Sequence, residues 1–174
     1  MQQVKERRVG SSGSSGSLGS SLAAYLPICL SACTSMVTRA QFVVEARKWM
    51  DTPFQHQGRL RGLGVDCVGL VLCVMRDLGL NTWVDDFKVY SSQPVGREVL
   101  DACLQRLRVK GVAERLPGDV LCFRVPVAPV HIGIVTEVGI IHAYNGAKRR
   151  VTEHGLSTKW MHRIEGCFSI PGVG

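Results

Sequence analysis

Cys67 follows Asp66 where a Gly- and Arg-rich stretch, residues 53–65, gives way to an almost wholly apolar run, CVGLVLCVMRDLG. Aspartate is a strong N-cap, so the pattern predicts a helix that begins at Cys67 and is closed by Gly79. At a helix start the dipole and the unpaired N–H groups lower a thiol's pKa and favour the thiolate, the form that attacks carbonyl carbon. The same N–H groups can hold an oxyanion. Gly69, two residues further on, removes a side chain and allows a substrate or a neighbouring strand to come close.

A thiolate that cleaves an amide needs a proton donor and acceptor beside it, and histidine suits that work near neutral pH. The histidines are at 56, 131, 142, 154 and 162, and His131 and His142 lie in strand-like apolar sequence. A two-residue turn at Glu137 and Val138 would pair Thr136 with Gly139 and set His142 opposite Gly133. The two imidazoles then share one face, with Gly133 leaving room for a ring; an odd-length turn would separate them. Cys67, His131 and His142 so form a series of nucleophile, base and orienting group. Taken singly, a cysteine at a helix start is more often a core thiol and a strand histidine more often structural; the consistent geometry gives the set its weight.

These residues need elements to carry them. Phe42, Val43, Ala46, Trp49 and Met50 recur at three- and four-residue spacings, predicting a helix that ends before Thr52 and Pro53. A third helix is expected over 97–108, with Val99, Leu100, Cys103, Leu104 and Leu107 on one face. After Pro117 and Gly118 the period changes to that of strands, at 119–125, 131–136, 139–144, 148–152 and 167–170. Helices followed by an antiparallel meander predict an α+β domain over residues 36–174.

The 174 residues allow one domain with a real core, and 45% hydrophobic with 20% charged residues is ordinary for a globular chain. A net charge of +7 favours acidic partners, but no nucleic-acid motif accompanies it, so a nucleic-acid partner is not expected. Seven cysteines at irregular spacings, with no CxxC pair, fit neither a disulfide framework nor a structural zinc site; no metal or cofactor is expected. Residues 10–21 are Gly/Ser low complexity, and residues 22–33, interrupted by Pro27, are too short for a membrane span. Two readings of residues 1–35 are open. Lys5, Arg7 and Arg8 followed by the apolar run and Cys33 look like a lipoprotein signal; alternatively Met36 is the start and the segment is a disordered extension. The polar insert between the charges and the apolar run favours the second.

Several ordered blocks also resemble a known family. Residues 46–59 (ARKWMDTPFQHQGR) and 64–71 (GVDCVGLV), then 117–121 (PGDVL), 131–134 (HIGI) and 141–144 (IHAY), are similar in order and spacing to NlpC-type cell-wall cysteine peptidases, in the branch found with phage tail proteins. The resemblance spans roughly residues 39–171. It implies a papain-like fold with N-terminal helices packed on an antiparallel sheet, and hydrolysis of peptidoglycan stem-peptide amides with Cys67 as nucleophile, His131 as base and His142 as orienting residue. Asp66, Phe54 and Arg59 are the expected substrate contacts, other tail proteins are possible partners, and the implied location is the virion tail or the cell wall and periplasm. Phe54 stands where many members have Tyr, and Val68 where many have Ser, so the bond specificity does not carry over. Two alternatives remain open: a catalytically inactive wall-binding or structural tail module, and a thiol-dependent amidase or acyltransferase of the same fold.

Overall fold

Thr38 begins the first helix by accepting the Gln41 N–H at 3.2 Å, while the Gln41 side chain accepts the Thr38 N–H at 2.8 Å. This reciprocal cap satisfies two donors that a helix start leaves orphaned. The computed structural model describes residues 36–80, 97–125, 129–146 and 148–174. The expectations for residues 1–35, including lipidation at Cys33, lie outside the described residues.

Helix α1 (Arg39–Arg47) is followed by a short antiparallel pair, β1 (Arg59–Leu60) and β2 (Gly64–Val65), and then by α2 (Cys67–Asp77). Next come α3 (Glu98–Arg106), β3 (Arg108–Lys110) and a single 3-10 turn at Val112–Glu114. Strands β4 (Val120–Arg124), β5 (Pro129–Val135), β6 (Ile140–Tyr144) and β7 (Arg150–His154) lead through the one-turn helix α4 (Thr158–Met161) to β8 (Ile164–Ser169). Six strands form one antiparallel sheet in the order β3-β8-β4-β5-β6-β7. The chain is therefore α+β, as its periodicities predict.

The sheet is apolar on both faces. Ile132, Ile134, Ile141, Ala143 and Val151 join Phe42, Trp49 and the buried side of α2 in the larger core. Leu121, Phe123, Val135, Ile140 and Cys167 form a second cluster, against which Trp160 of α4 and Val112 pack. A strand buried on both faces reads as a continuous hydrophobic run, which is the texture of 120–123 and 132–135.

Three expectations need correction. The third helix stops at Arg106, because Leu107 turns extended and Arg108 begins an edge strand on β8. Leu104, expected on the buried side, is 44% exposed: the core takes the stripe through Val99, Leu100 and Cys103. Strand β7 runs two residues further than its pattern suggests, to His154, because Ile140 pairs with it.

Asp119 ties the sheet to α1. Its carboxylate is fully buried and accepts hydrogen bonds from Arg39 (2.8 Å), Lys110 (2.7 Å) and the Leu116 N–H (2.8 Å). Replacing it by alanine leaves two cations facing each other and an orphaned N–H. Asp119→Ala is expected to cost about 3 kcal/mol in urea unfolding. A loss under about 1 kcal/mol would show that the cluster is dispensable.

Candidate functional site

Asp66 caps α2 by accepting the Gly69 N–H at 2.7 Å, which leaves Cys67 as the first helical residue. At the other end Gly79 takes φ +69° and Leu80 N–H returns to Met75 O at 2.9 Å, closing the helix where the sequence predicts. The Asp66 carboxylate also accepts the Gln57 N–H at 2.6 Å and pairs with Arg59 at 3.2 Å, and the residue is 2% exposed. Asp66 thus holds the 57–59 segment against the start of α2. Gly69 makes this possible: a Cβ there would meet Gly58 O at 2.5 Å and collide with the Arg59 guanidinium. The close neighbour that Gly69 admits is the chain's own loop. Phe54, half-buried at the core margin, is fixed through its N–H to Arg149 O at 2.7 Å.

On the sheet, Ile134 pairs with Ile141 and Val135 with Ile140, and Thr136 N–H donates to Gly139 O at 2.9 Å. Thr136 Oγ1 accepts the N–H groups of Val138 (3.2 Å) and Gly139 (3.0 Å), locking the two-residue turn. This is the register expected from the sequence. One step further it sets Gly133 beside His142, and a Cβ on Gly133 would meet His142 Cβ at 3.3 Å. His131 Nε2 and His142 Nδ1 lie 2.7 Å apart on one face of the sheet.

A third histidine completes the row. His154 Nε2 is 2.9 Å from His142 Nε2, and His154 Nδ1 is 2.8 Å from Gly155 O. Trp160 stands edge-on to His142 at 5.1 Å, and Tyr144 stacks on His142 at 5.6 Å. Sequence reading missed both His154 and Trp160. The alternation Thr152, Glu153, His154 would have revealed the first had β7 been extended by two residues. Trp160 arrives on a four-residue helix whose placement no local pattern encodes.

The rings of His131 and His142 point to the face that carries Phe123 and Trp160, whereas α2 covers the opposite face. Cys67 reaches β5 from the helix side. Its sulfur meets the backbone N–H of Ile132, the residue after His131. Among the described residues, the β5–β6 ladder holds at Ile134 and Val135 and is not continued to Ile132, so that N–H is turned toward the helix start. No hydrogen bond among the described residues joins the Cys67 sulfur to either imidazole. In unliganded sites catalytic contacts are commonly long and tighten only with substrate bound.

Burial disfavours charge on Cys67, His131 and His142 alike. The expectation that the helix start lowers the Cys67 thiol is corrected: burial, reinforced by the Asp66 carboxylate, pushes it up to about 12 and outweighs the N–H groups of Ile132, Val68 and Cys67 itself. Burial, with His154 adding to it, lowers His131 to about 3. His142 falls to about 2 through burial, then through His131 and His154. Despite the three clustered imidazoles, no group of three His, Cys, Asp or Glu among the described residues is arranged to hold a metal ion. No helix among the described residues is long and apolar enough to cross a membrane.

No protein-family model matches the sequence, and no curated protein matches it. Solved structures do resemble it. The NlpC/p60 domain of the peptidoglycan hydrolase SagA is 21% identical, with a TM-score of 0.54 over 77% of this chain and 100% of that one. An NlpC/P60 family protein from Bacillus cereus gives 0.55 at 15% identity over 74% of this chain, and a lipoprotein-like NLP/P60 protein from Staphylococcus aureus 0.52 at 19% over 76%. This chain spans 39% and 41% of the length of those two proteins. Helices leading into an antiparallel sheet, with a cysteine at the start of the central helix, give this chain the papain-like fold of NlpC/p60 domains.

Proposed function

We propose that this chain is a cysteine peptidase that hydrolyses amide bonds in peptidoglycan stem peptides, working at the wall as part of a phage tail. The observation that carries the reading is the buried 2.7 Å contact between His131 and His142, on the strand whose next N–H touches the Cys67 sulfur. In this reading His131 takes the thiol proton as sulfur attacks the amide carbon. The oxyanion that forms is held by N–H groups at the start of α2. His131 returns the proton to the departing amine, leaving a thioester, and then activates the water that hydrolyses it. His142 holds the His131 ring. Phe54, Arg59 and Asp66 border the substrate, Asp66 through the loop it anchors. A chain of net charge +7 suits a wall polymer rich in carboxylates.

One observation favours the second reading, a catalytically silent wall-binding module: the sulfur belongs to a residue only 9% exposed. Incubation with defined muropeptides, with the new termini identified by mass spectrometry, separates the two. A new carboxyl and a new amine at a peptide–peptide bond support the peptidase. Transfer to an added amine, without hydrolysis, would identify an acyltransferase. Binding to peptidoglycan with no product would establish the silent module and remove the peptidase.

A further inference from the structure

Resting on the assignment of His131 as base, we infer that His154 is a positioning residue: held by the Gly155 carbonyl, its ring dictates the tautomers of His142 and, through it, of His131. The argument starts at the carbonyl. Gly155 O can only accept, so across their 2.8 Å contact His154 Nδ1 carries the hydrogen. A neutral imidazole has one N–H, which leaves His154 Nε2 as an acceptor. Its partner at 2.9 Å, His142 Nε2, must then donate, and His142 Nδ1 is left with a lone pair. That lone pair accepts from His131 Nε2 across 2.7 Å, so His131 is protonated at Nε2 and bare at Nδ1. A bare Nδ1 is what a general base requires.

Each ring offers one donor and one acceptor, so the choice at Gly155 passes along the row unchanged. The burial that keeps His131 and His142 neutral is what makes the logic binding, because a charged ring would donate from both nitrogens. An imidazolium at His154 would reverse both partners and put the hydrogen on His131 Nδ1, where it blocks proton uptake. The packing also holds the order of the row. Ile140 pairs with His154 and His142 with Thr152, which makes the two histidines diagonal neighbours on one face of β6 and β7. Trp160 lies against all three rings, with centroids 5.9, 5.1 and 5.7 Å from His131, His142 and His154, and restricts their rotation.

The test is to read the tautomers directly. Long-range proton–nitrogen correlation spectra of the nitrogen-15-labelled protein at neutral pH should show N–H at Nε2 of His131 and His142 and at Nδ1 of His154. His154→Ala should convert His131 and His142 to tautomer mixtures. Muropeptide cleavage should fall at least about tenfold, toward the roughly 10⁴-fold loss that a wrong tautomer causes at a triad histidine. In His154→Gln the side-chain carbonyl can accept from His142 Nε2, so both the spectrum and the rate should recover. The inference is overturned if wild-type His131 carries its hydrogen on Nδ1, or if His154→Ala leaves both tautomers unchanged. Should His154→Ala fail to fold, the wild-type and His154→Gln spectra decide alone. Expected tautomers without cleavage would sink the peptidase reading and uphold the row; cleavage with reversed tautomers would sink only the row.

Discussion

Under the proposed peptidase reading, Cys67→Ala is expected to abolish muropeptide cleavage, with a loss of roughly 10³-fold or more, while the protein stays folded. The expectation follows from the chemistry: without sulfur no thioester forms, and no other described cysteine stands at the start of a helix. The structural cost is small. The side chain is short, and the cap on α2 is made by Asp66 and not by the cysteine, so stability should fall by about 1 kcal/mol. Cys67→Ser is the stricter variant, since it keeps a hydrogen-bonding atom near the Ile132 N–H and loses only nucleophilicity. Residual cleavage by either variant at more than a few per cent of wild type would remove Cys67 from the mechanism.

The resting state sharpens this result. Burial pushes the Cys67 thiol up to about 12 and His131 down to about 3, which favours the uncharged form of both groups. In the proposed reaction, attack would therefore require proton transfer to His131 as the carbon–sulfur bond forms, and His131→Ala should cost cleavage as heavily as the loss of the sulfur.

Acidification below pH 6.5 should destabilise the domain through its buried histidines. His131 and His142 are 5% and 2% exposed, and their folded pKa values, about 3 and about 2, lie below the unfolded value of 6.5. Below pH 6.5 the unfolded chain takes up protons that the folded site refuses, so stability declines as pH falls from 6.5 toward 3. At about 1.4 kcal/mol per unit for each histidine, the two together cost about 4 kcal/mol by pH 5. That is a large share of the 5–15 kcal/mol typical of a domain. Urea unfolding at pH 7 and pH 5 measures it directly. His142→Gln should roughly halve the difference, which separates the histidines from Glu137, lowered by its own backbone N–H and then by Arg47, and from Glu153, lowered first by Arg47; both act at lower pH. Equal midpoints at pH 7 and 5 would show that the imidazoles are not neutral in the folded core.

How much of this was legible in the chain depends on the range of each interaction. The start of α2 is local: Asp66 reaches only three residues to Gly69, and Gly79 supplies the positive φ that ends the helix. The β5–β6 hairpin is equally local, since a two-residue turn and a two-residue strand period leave one register in which His142 faces Gly133. The strand at Arg108 was not legible, because an edge strand exists only once β8 offers a partner. Leu104 was misplaced for a related reason: which of two adjacent apolar stripes on α3 is buried depends on the neighbours that cover it.

By itself, then, the sequence determined the three long helices and the strands of the meander, the hairpin register and the residue at the head of the central helix, all from contacts within a few positions along the chain, but not the short pieces β1, β2, β3 and α4. Tertiary structure alone decided that α2 and the imidazoles approach β5 from opposite faces, that Asp66 and Arg59 neutralise each other, and that His154 and Trp160 close the row. These are contacts between side chains distant in sequence or brought together by the twist and stacking of the sheet. No local periodicity records them, because folding selects them by burial and by the need of each buried nitrogen for a partner.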